Sequence, residues 1–277
     1  MAGVALRLRE YGDASSARLP LVLIHGLFGS SANWHGIARR LAPERRVLVP
    51  DLRNHGESPW HPRLDYPAMA EDLTALLDGR GIARAHLVGH SMGGKAAMWL
   101  ALTEPGRVGS LVVVDIAPVP YPSRHGALVA ALSDLPLDQI QDRRDADARL
   151  AVSIGSAPVR AYLLQNLVHD WTDSGGAGGW RWRLNLPVLA RSMETILGFP
   201  DGGERQFPGP VLFLYGSRSD YVTGDGLPRI RAQFPLARLR AIANAGHWVY
   251  ADQPDAFVAA VAGFFDRLSP HCRGEAG

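Results

Sequence analysis

The chain has 277 residues, of which 47% are hydrophobic and 20% charged, with a formal net charge of +2. This balance excludes a disordered chain and leaves room for one large α/β domain or two smaller ones. Basic residues are interleaved with acids, as in "DRRDADAR", which reads as solvated surface rather than a nucleic-acid patch. Cys272 is the only cysteine, so no internal disulfide can form, and its polar tail "SPHCRGEAG" reads as frayed. No apolar run reaches membrane-spanning length, and "MAGVALRLREYG" is too charged for a signal-peptide core. The expectation is a cytoplasmic protein with no membrane insertion.

In chain order, "VALRLREYG" predicts an edge strand and "LPLVLIHG" a short buried strand. "SSANWHGIARRLAP" predicts a helix with Ser31 as its cap. "RRVLVPDLR" is a strand, and "YPAMAEDLTALLDGRG" a helix stopped by glycine. "AHLVGH" is a strand leading into the helix "MGGKAAMWLALTEPG", and "VGSLVVVDIAP" is the next strand. Strands alternating with helices imply an α/β fold with a mostly parallel sheet covered on both faces.

From residue 116 the pattern changes. Prolines 118, 120 and 122 break it, and about ninety residues follow without a convincing strand. Residues 117–207 therefore read as a helical insertion, with residues 1–116 and 208–277 as the core. The alternation resumes with "GPVLFLYG", "GLPRIRAQF" and "ARLRAIANAGH". The last helix, "PDAFVAAVAGFFDRL", sets Phe257, Val261, Phe264, Phe265 and Leu268 on one face. The insertion starts at the carboxyl end of a strand, where ligands bind in such sheets, so it is placed to roof a pocket.

The chemistry centres on "GHSMG" around Ser91. Gly-x-Ser-x-Gly alone is a weak signal, but here a strand precedes it and a helix follows. A serine on such a turn is strained and exposed, and Gly89, Gly93 and Gly94 let strand and helix approach closely. A serine nucleophile needs a base. His247 in "NAGHWVYADQP" follows the last strand and is the candidate. His25 and His55 also stand at strand ends and are read as ordering their loops. His90 adjoins Ser91, with its side chain expected to point the other way. An oxyanion hole needs two donors: the amide of Met92, and that of Leu27 after "LVLIH", with Phe28 as the alternative.

"HGLFGSSANW", "DLRNHGESP", "GHSMGGKAA", "VVVDIAPV" and "AGHWVYADQP" occur in the order, and near the spacing, of the α/β-hydrolase superfamily, which the chain resembles over about residues 5–268. "GHSMGGKAAM", "DIAPV" and "GHWVYADQPD" resemble the small bacterial esterases of the YbfF type, and "WRWRLNLPVL" resembles their cap. The resemblance implies an α/β-hydrolase fold: an eight-stranded, mostly parallel sheet with helices on both faces and a helical cap. It also implies serine-dependent cleavage of acyl esters or thioesters. Serine at the turn argues against the superfamily's haloalkane dehalogenases and epoxide hydrolases, which need a carboxylate there. No cofactor and no metal are expected.

The superfamily's usual acid follows a strand as Gly-x-x-Asp. Here that spacing falls on Ser219, with Asp220 one residue later. The other placement is Asp115, at the end of "VVVD", as in YbfF-type esterases. Asp115 is the preferred acid, with Ser219 as an accessory partner and Asp220 as the alternative. The leading reading is a serine carboxylesterase for small acyl esters, with acyl chains of about two to six carbons under a small cap. Trp171, Trp180 and Trp182 are candidates to pack the cap or roof the pocket. An acyl thioesterase or carbon–carbon bond hydrolase on the same triad is the enzymatic alternative. A non-catalytic ligand-binding module is the other, which intact Ser91 and His247 oppose. The expected partner is a small-molecule ester or thioester, with no nucleic acid.

Overall fold

The runs "LVLI", "VLVP" and "LVVV" are apolar at every position, so neither face of such a strand can meet water. In the computed structural model they lie at the centre of one sheet. The structure describes residues 3–123, 125–170 and 178–268; Trp171 and Cys272 lie outside the described residues. The strands are β1 (Leu8–Tyr11), β2 (Leu21–Ile24), β3 (Val47–Pro50), β4 (Ala85–His90) and β5 (Val108–Val114). Past the inserted segment, which holds β6 (Leu167–His169) and β7 (Trp180–Trp182), come β8 (Val211–Gly216) and β9 (Ala237–Ile242).

The sheet order is β1-β3-β2-β4-β5-β8-β9. β1 runs antiparallel to β3, and the other pairings are parallel. Seven strands form the sheet among the described residues, one fewer than the family pattern implies. The physical reason lies ahead of β2: "YGDASSARLP" is a turn-rich run, so the N-terminal region supplies one edge strand, not a pair.

Helices cover both faces. On one side α1 (His35–Leu41), α9 (Val249–Asp252) and α10 (Pro254–Asp266) bury Ile37, Tyr250 and Phe257 against the sheet, with Trp34, just ahead of α1, stacked on Tyr250. Phe257, Val261, Phe264 and Phe265 are buried along α10 and Leu268 packs at their edge, as their spacing predicts. On the other side lie α2 (Tyr66–Gly79), α3 (Met92–Thr103) and α8 (Leu227–Gln233), through Leu73, Leu100 and Ile230. The helix expected to begin at Ser31 is a short 3-10 turn, Ser31–Trp34, that runs into α1. Its cap is Ser30, not Ser31: Ser30 is extended and its side chain accepts from the amide of Ala32, while the Ser31 amide donates to Asp51 at 2.6 Å.

Between β5 and β8 the chain forms α4 (Gly126–Ser133), α5 (Arg143–Leu150), α6 (Ala157–Leu164) and α7 (Leu186–Leu197). This segment also contains an antiparallel pair, β6 with β7, that the helical expectation omitted. Each strand is three residues long, too short to show a period of two. Trp182 is buried and donates its indole N–H to the carbonyl of Leu132, while Trp180 packs on His169. Both tryptophans are thus committed within the segment, and neither borders the cavity over Ser91.

Candidate active site

β4 ends at His90 and α3 begins at Met92, so Ser91 alone turns the chain. Its backbone is left-handed, at φ +50° and ψ −119°, a strained conformation for a residue with a Cβ. The surrounding glycines permit it by close approach. A Cβ on Gly89 would stand 2.3 Å from the carbonyl oxygen of Gly93, and one on Gly93 would stand 2.4 Å from that of His25. Ser91 is pinned by its own amide, which donates to the Val114 carbonyl at 3.0 Å. It lines a cavity of about 230 Å³ beyond the carboxyl ends of the strands.

Asp115 stands at the end of β5, fully buried and also left-handed at φ +53°. Oδ1 accepts the amide of Gly216 at 3.0 Å. Oδ2 accepts two side-chain donors, Ser219 Oγ–H at 2.5 Å and His247 Nδ1–H at 2.7 Å. That bond fixes the neutral imidazole as the Nδ1–H tautomer and leaves Nε2 as the basic nitrogen. The ring of Tyr221 stacks on His247 at 4.0 Å and 24°. The structure therefore brings Ser91, His247, Asp115 and Ser219 together, and places Asp220 on the exposed loop beyond them. Ser91 and His247 line the same cavity without a hydrogen bond between their side chains; such contacts often tighten only when substrate binds.

The other strand-end histidines do different things. His25 Nδ1–H donates to the Gly26 carbonyl at 2.8 Å, and its Nε2 accepts the Leu52 amide at 2.9 Å. Burial pushes its pKa down, so it bridges two loops as a neutral ring. His55 Nδ1–H donates to the Arg53 carbonyl, and burial pushes its pKa down to about 3. His90 Nε2–H donates to the carbonyl of His247 at 2.9 Å. Burial first, and the nearby His247 second, hold His90 well below the usual imidazole range, so it stays neutral.

Leu27 and Phe28 form the turn facing Ser91, and Phe28 is left-handed at φ +61°. Two residues of the inserted segment hold this turn by its carbonyls: Tyr162 O–H donates to Leu27 at 3.1 Å, and Asn166 Nδ2–H donates to Phe28 at 2.7 Å. Among the described residues the Leu27 amide has no acceptor. The Met92 amide, in the first turn of α3, has no intrahelical one. The cavity wall above them is Leu128, Val159, Tyr162 and Leu163 from the segment between β5 and β8, with Trp248 from the loop after β9.

The family model described as the alpha/beta hydrolase fold matches residues 20–254. The chain belongs to the α/β-hydrolase fold family. A mouse α/β hydrolase, the sn-1-specific diacylglycerol lipase ABHD11, is 44% identical over 91% of this chain and 82% of its own. Esterase YbfF of Escherichia coli is 39% identical over 87% of this chain and 91% of its own. A solved structure described as a marine microorganism esterase superposes with a TM-score of 0.88 at 34% identity, covering 95% of this chain and all of that one. With these relatives, the protein is an α/β hydrolase of the esterase and lipase type.

Some residues around the hydrolase site went unsingled in the sequence. Lys95 is fully buried one helical turn after Ser91, and Nζ donates to the carbonyls of Leu197 at 2.8 Å and Gly198 at 2.6 Å. It thereby ties α3, the helix that follows Ser91, to the end of α7, with the Tyr121 ring 4.8 Å away. Burial pushes its pKa down to about 7. The signal was present: Lys95 is the only lysine of the chain and stands on an apolar helix. Tyr221, next to Asp220, and Tyr162 and Asn166 carried no such signal, because the contacts that bring them to the site, with His247, Leu27 and Phe28, join residues more than twenty positions apart. Among the described residues no cluster of His, Cys, Asp or Glu could hold a metal, and no helix is long and apolar enough to cross a membrane.

Proposed function

We propose that Ser91, His247 and Asp115 form a catalytic triad that hydrolyses small, short-chain acyl esters through an acyl-enzyme. The observation that carries this reading is the bond from buried Asp115 to half-buried His247, at the wall of the cavity that Ser91 lines. Ser91 Oγ attacks the ester carbonyl while His247 Nε2 takes its proton. Asp115 holds Nδ1–H and stabilises the imidazolium that forms. The oxyanion receives the amides of Met92 and Leu27, with Phe28 as the alternative donor. The imidazolium then gives its proton to the departing alcohol. Water, activated by the same imidazole, attacks the acyl-enzyme and releases the acid and free Ser91.

Residues 117–207 act in this reading as a cap on the core formed by 1–116 and 208–277. The size limit rests on the cavity. At about 230 Å³ it falls below the range of pockets that hold drug-sized ligands, and its roof is apolar. The decisive experiment is a screen of p-nitrophenyl esters by chain length, run beside acyl-CoA thioesters and a diacylglycerol. The expected order is butyrate esters above long-chain esters, thioesters and diacylglycerol. Faster turnover of the diacylglycerol, the substrate in the mouse relative's name, would overturn the short-chain reading. A fluorophosphonate probe should label Ser91; a binding module without chemistry would stay unlabelled.

A further inference from the structure

Beside the cavity of about 230 Å³ over Ser91 lies a smaller chamber of about 30 Å³. Leu27, Ser91 and Tyr221 border both. His247 and Trp248 belong to the wall of the larger, and Met92, Ile116 and Ile196 to that of the smaller. The two leave Ser91 in different directions: one toward the loop after β9, the other between α3 and the end of α7.

The smaller chamber has polar residues in its wall, but their polar atoms are already engaged. Tyr66 O–H donates to the carbonyl of Ile196, and Tyr121 O–H to that of Tyr221. Lys95 Nζ donates to the carbonyls of Leu197 and Gly198. What faces a ligand is apolar: the buried side chains of Met92, Ile116, Ile196 and Leu197, with two tyrosine rings. A closed wall whose donors are spent selects by size rather than by charge. A single water needs roughly 10–15 Å³ of such space, so this chamber holds about two or three carbon-sized atoms.

We propose that the smaller chamber receives the acyl chain and the larger cavity the alcohol, an assignment that rests on the triad proposed above. The chemistry sets the direction. The departing alcohol oxygen takes its proton from Nε2 of the His247 imidazolium as its bond to the carbonyl carbon breaks. That oxygen therefore lies on the His247 side of Ser91, in the larger cavity. The oxyanion points to the amides of Leu27 and Met92. The acyl chain takes the remaining direction, away from His247, past Met92 toward Ile196. Ile116 and Ile196 then limit it to about four carbons, the carbonyl included. The alcohol has several times that space.

Two isomeric esters test it, hexyl butyrate and butyl hexanoate, which differ only in which side of the carbonyl is long. Acid release should favour hexyl butyrate by about tenfold or more in kcat/KM, because methylenes that misfit a closed apolar pocket are rejected by that order. Ile196→Ala trims the chamber wall and keeps the main-chain carbonyl that Tyr66 holds. It should raise turnover of butyl hexanoate by about fivefold or more, a gain that damage to the fold would not produce. Ile116→Ala is the second variant and should do the same. Equal rates for the two isomers, the reverse order, or no gain in either variant would overturn the assignment and leave the triad standing. So would hydrolysis of neither ester by a protein that still takes up the fluorophosphonate. Hydrolysis that survives Ser91→Ala, or neither hydrolysis nor labelling, would overturn the triad reading and the assignment with it.

Discussion

Nδ1 of His247 lies 2.7 Å from Oδ2 of Asp115, although 132 positions separate the two residues in the chain. The bond joins the end of β5 to the loop after β9, strands that are not neighbours in the sheet. It is the contact that supports Asp115, the acid preferred from the sequence, over Asp220 in the proposed triad.

Asp115→Asn should lower kcat by about 10³ to 10⁴, because an amide oriented by the same donors favours the wrong imidazole tautomer. Asp220→Asn, on an exposed residue, should leave kcat within twofold. Steady-state kinetics on folded variants checks both. A crippled Asp220→Asn beside a nearly normal Asp115→Asn would reverse the assignment.

Ser219 Oγ–H shares Oδ2 of Asp115 with His247. Ser219→Ala removes one charge-assisted hydrogen bond, a loss on the order of 1.5 kcal/mol. The expected outcome is a kcat lower by about tenfold with KM little changed, since the bond holds the acid rather than the substrate. An unchanged kcat would reduce Ser219 to loop structure.

Ser91→Ala should keep the fold and lower turnover by about 10⁴ to 10⁶, and should end fluorophosphonate labelling. Circular dichroism and residual esterase rates test it together. Activity above a tenth of wild type would remove Ser91 from the mechanism.

Lys95 offers a prediction in stability rather than rate. Its folded pKa is depressed to about 7 from an ordinary 10.5. Between those values the unfolded chain holds a proton that the folded chain has released, so this residue makes stability rise with pH across that window. Lys95→Met should remove that rise. Denaturant titrations of both proteins at pH 6.5, 8 and 9.5 should show the variant losing ground to wild type as pH increases. Parallel curves would mean that Lys95 stays charged in the fold, held by the carbonyls of Leu197 and Gly198.

The local features of this protein were legible in its sequence. The alternation of strands and helices, the strained turn at Ser91 and the apolar face of α10 each follow from residues close together in the chain. Steric crowding, hydrophobic periodicity and glycine spacing act over a few positions. Other features were decided by tertiary structure. The hydrogen bond between Asp115 and His247 depends on which loop the sheet order brings to the end of β5. The pinning of the Leu27–Phe28 turn by Tyr162 and Asn166 depends on how the inserted segment docks. The three-residue β6 and β7 exist only as a pair. Hydrogen bonds and ion pairs are set by distance in space, and sequence separation fixes that distance only within a single element of secondary structure.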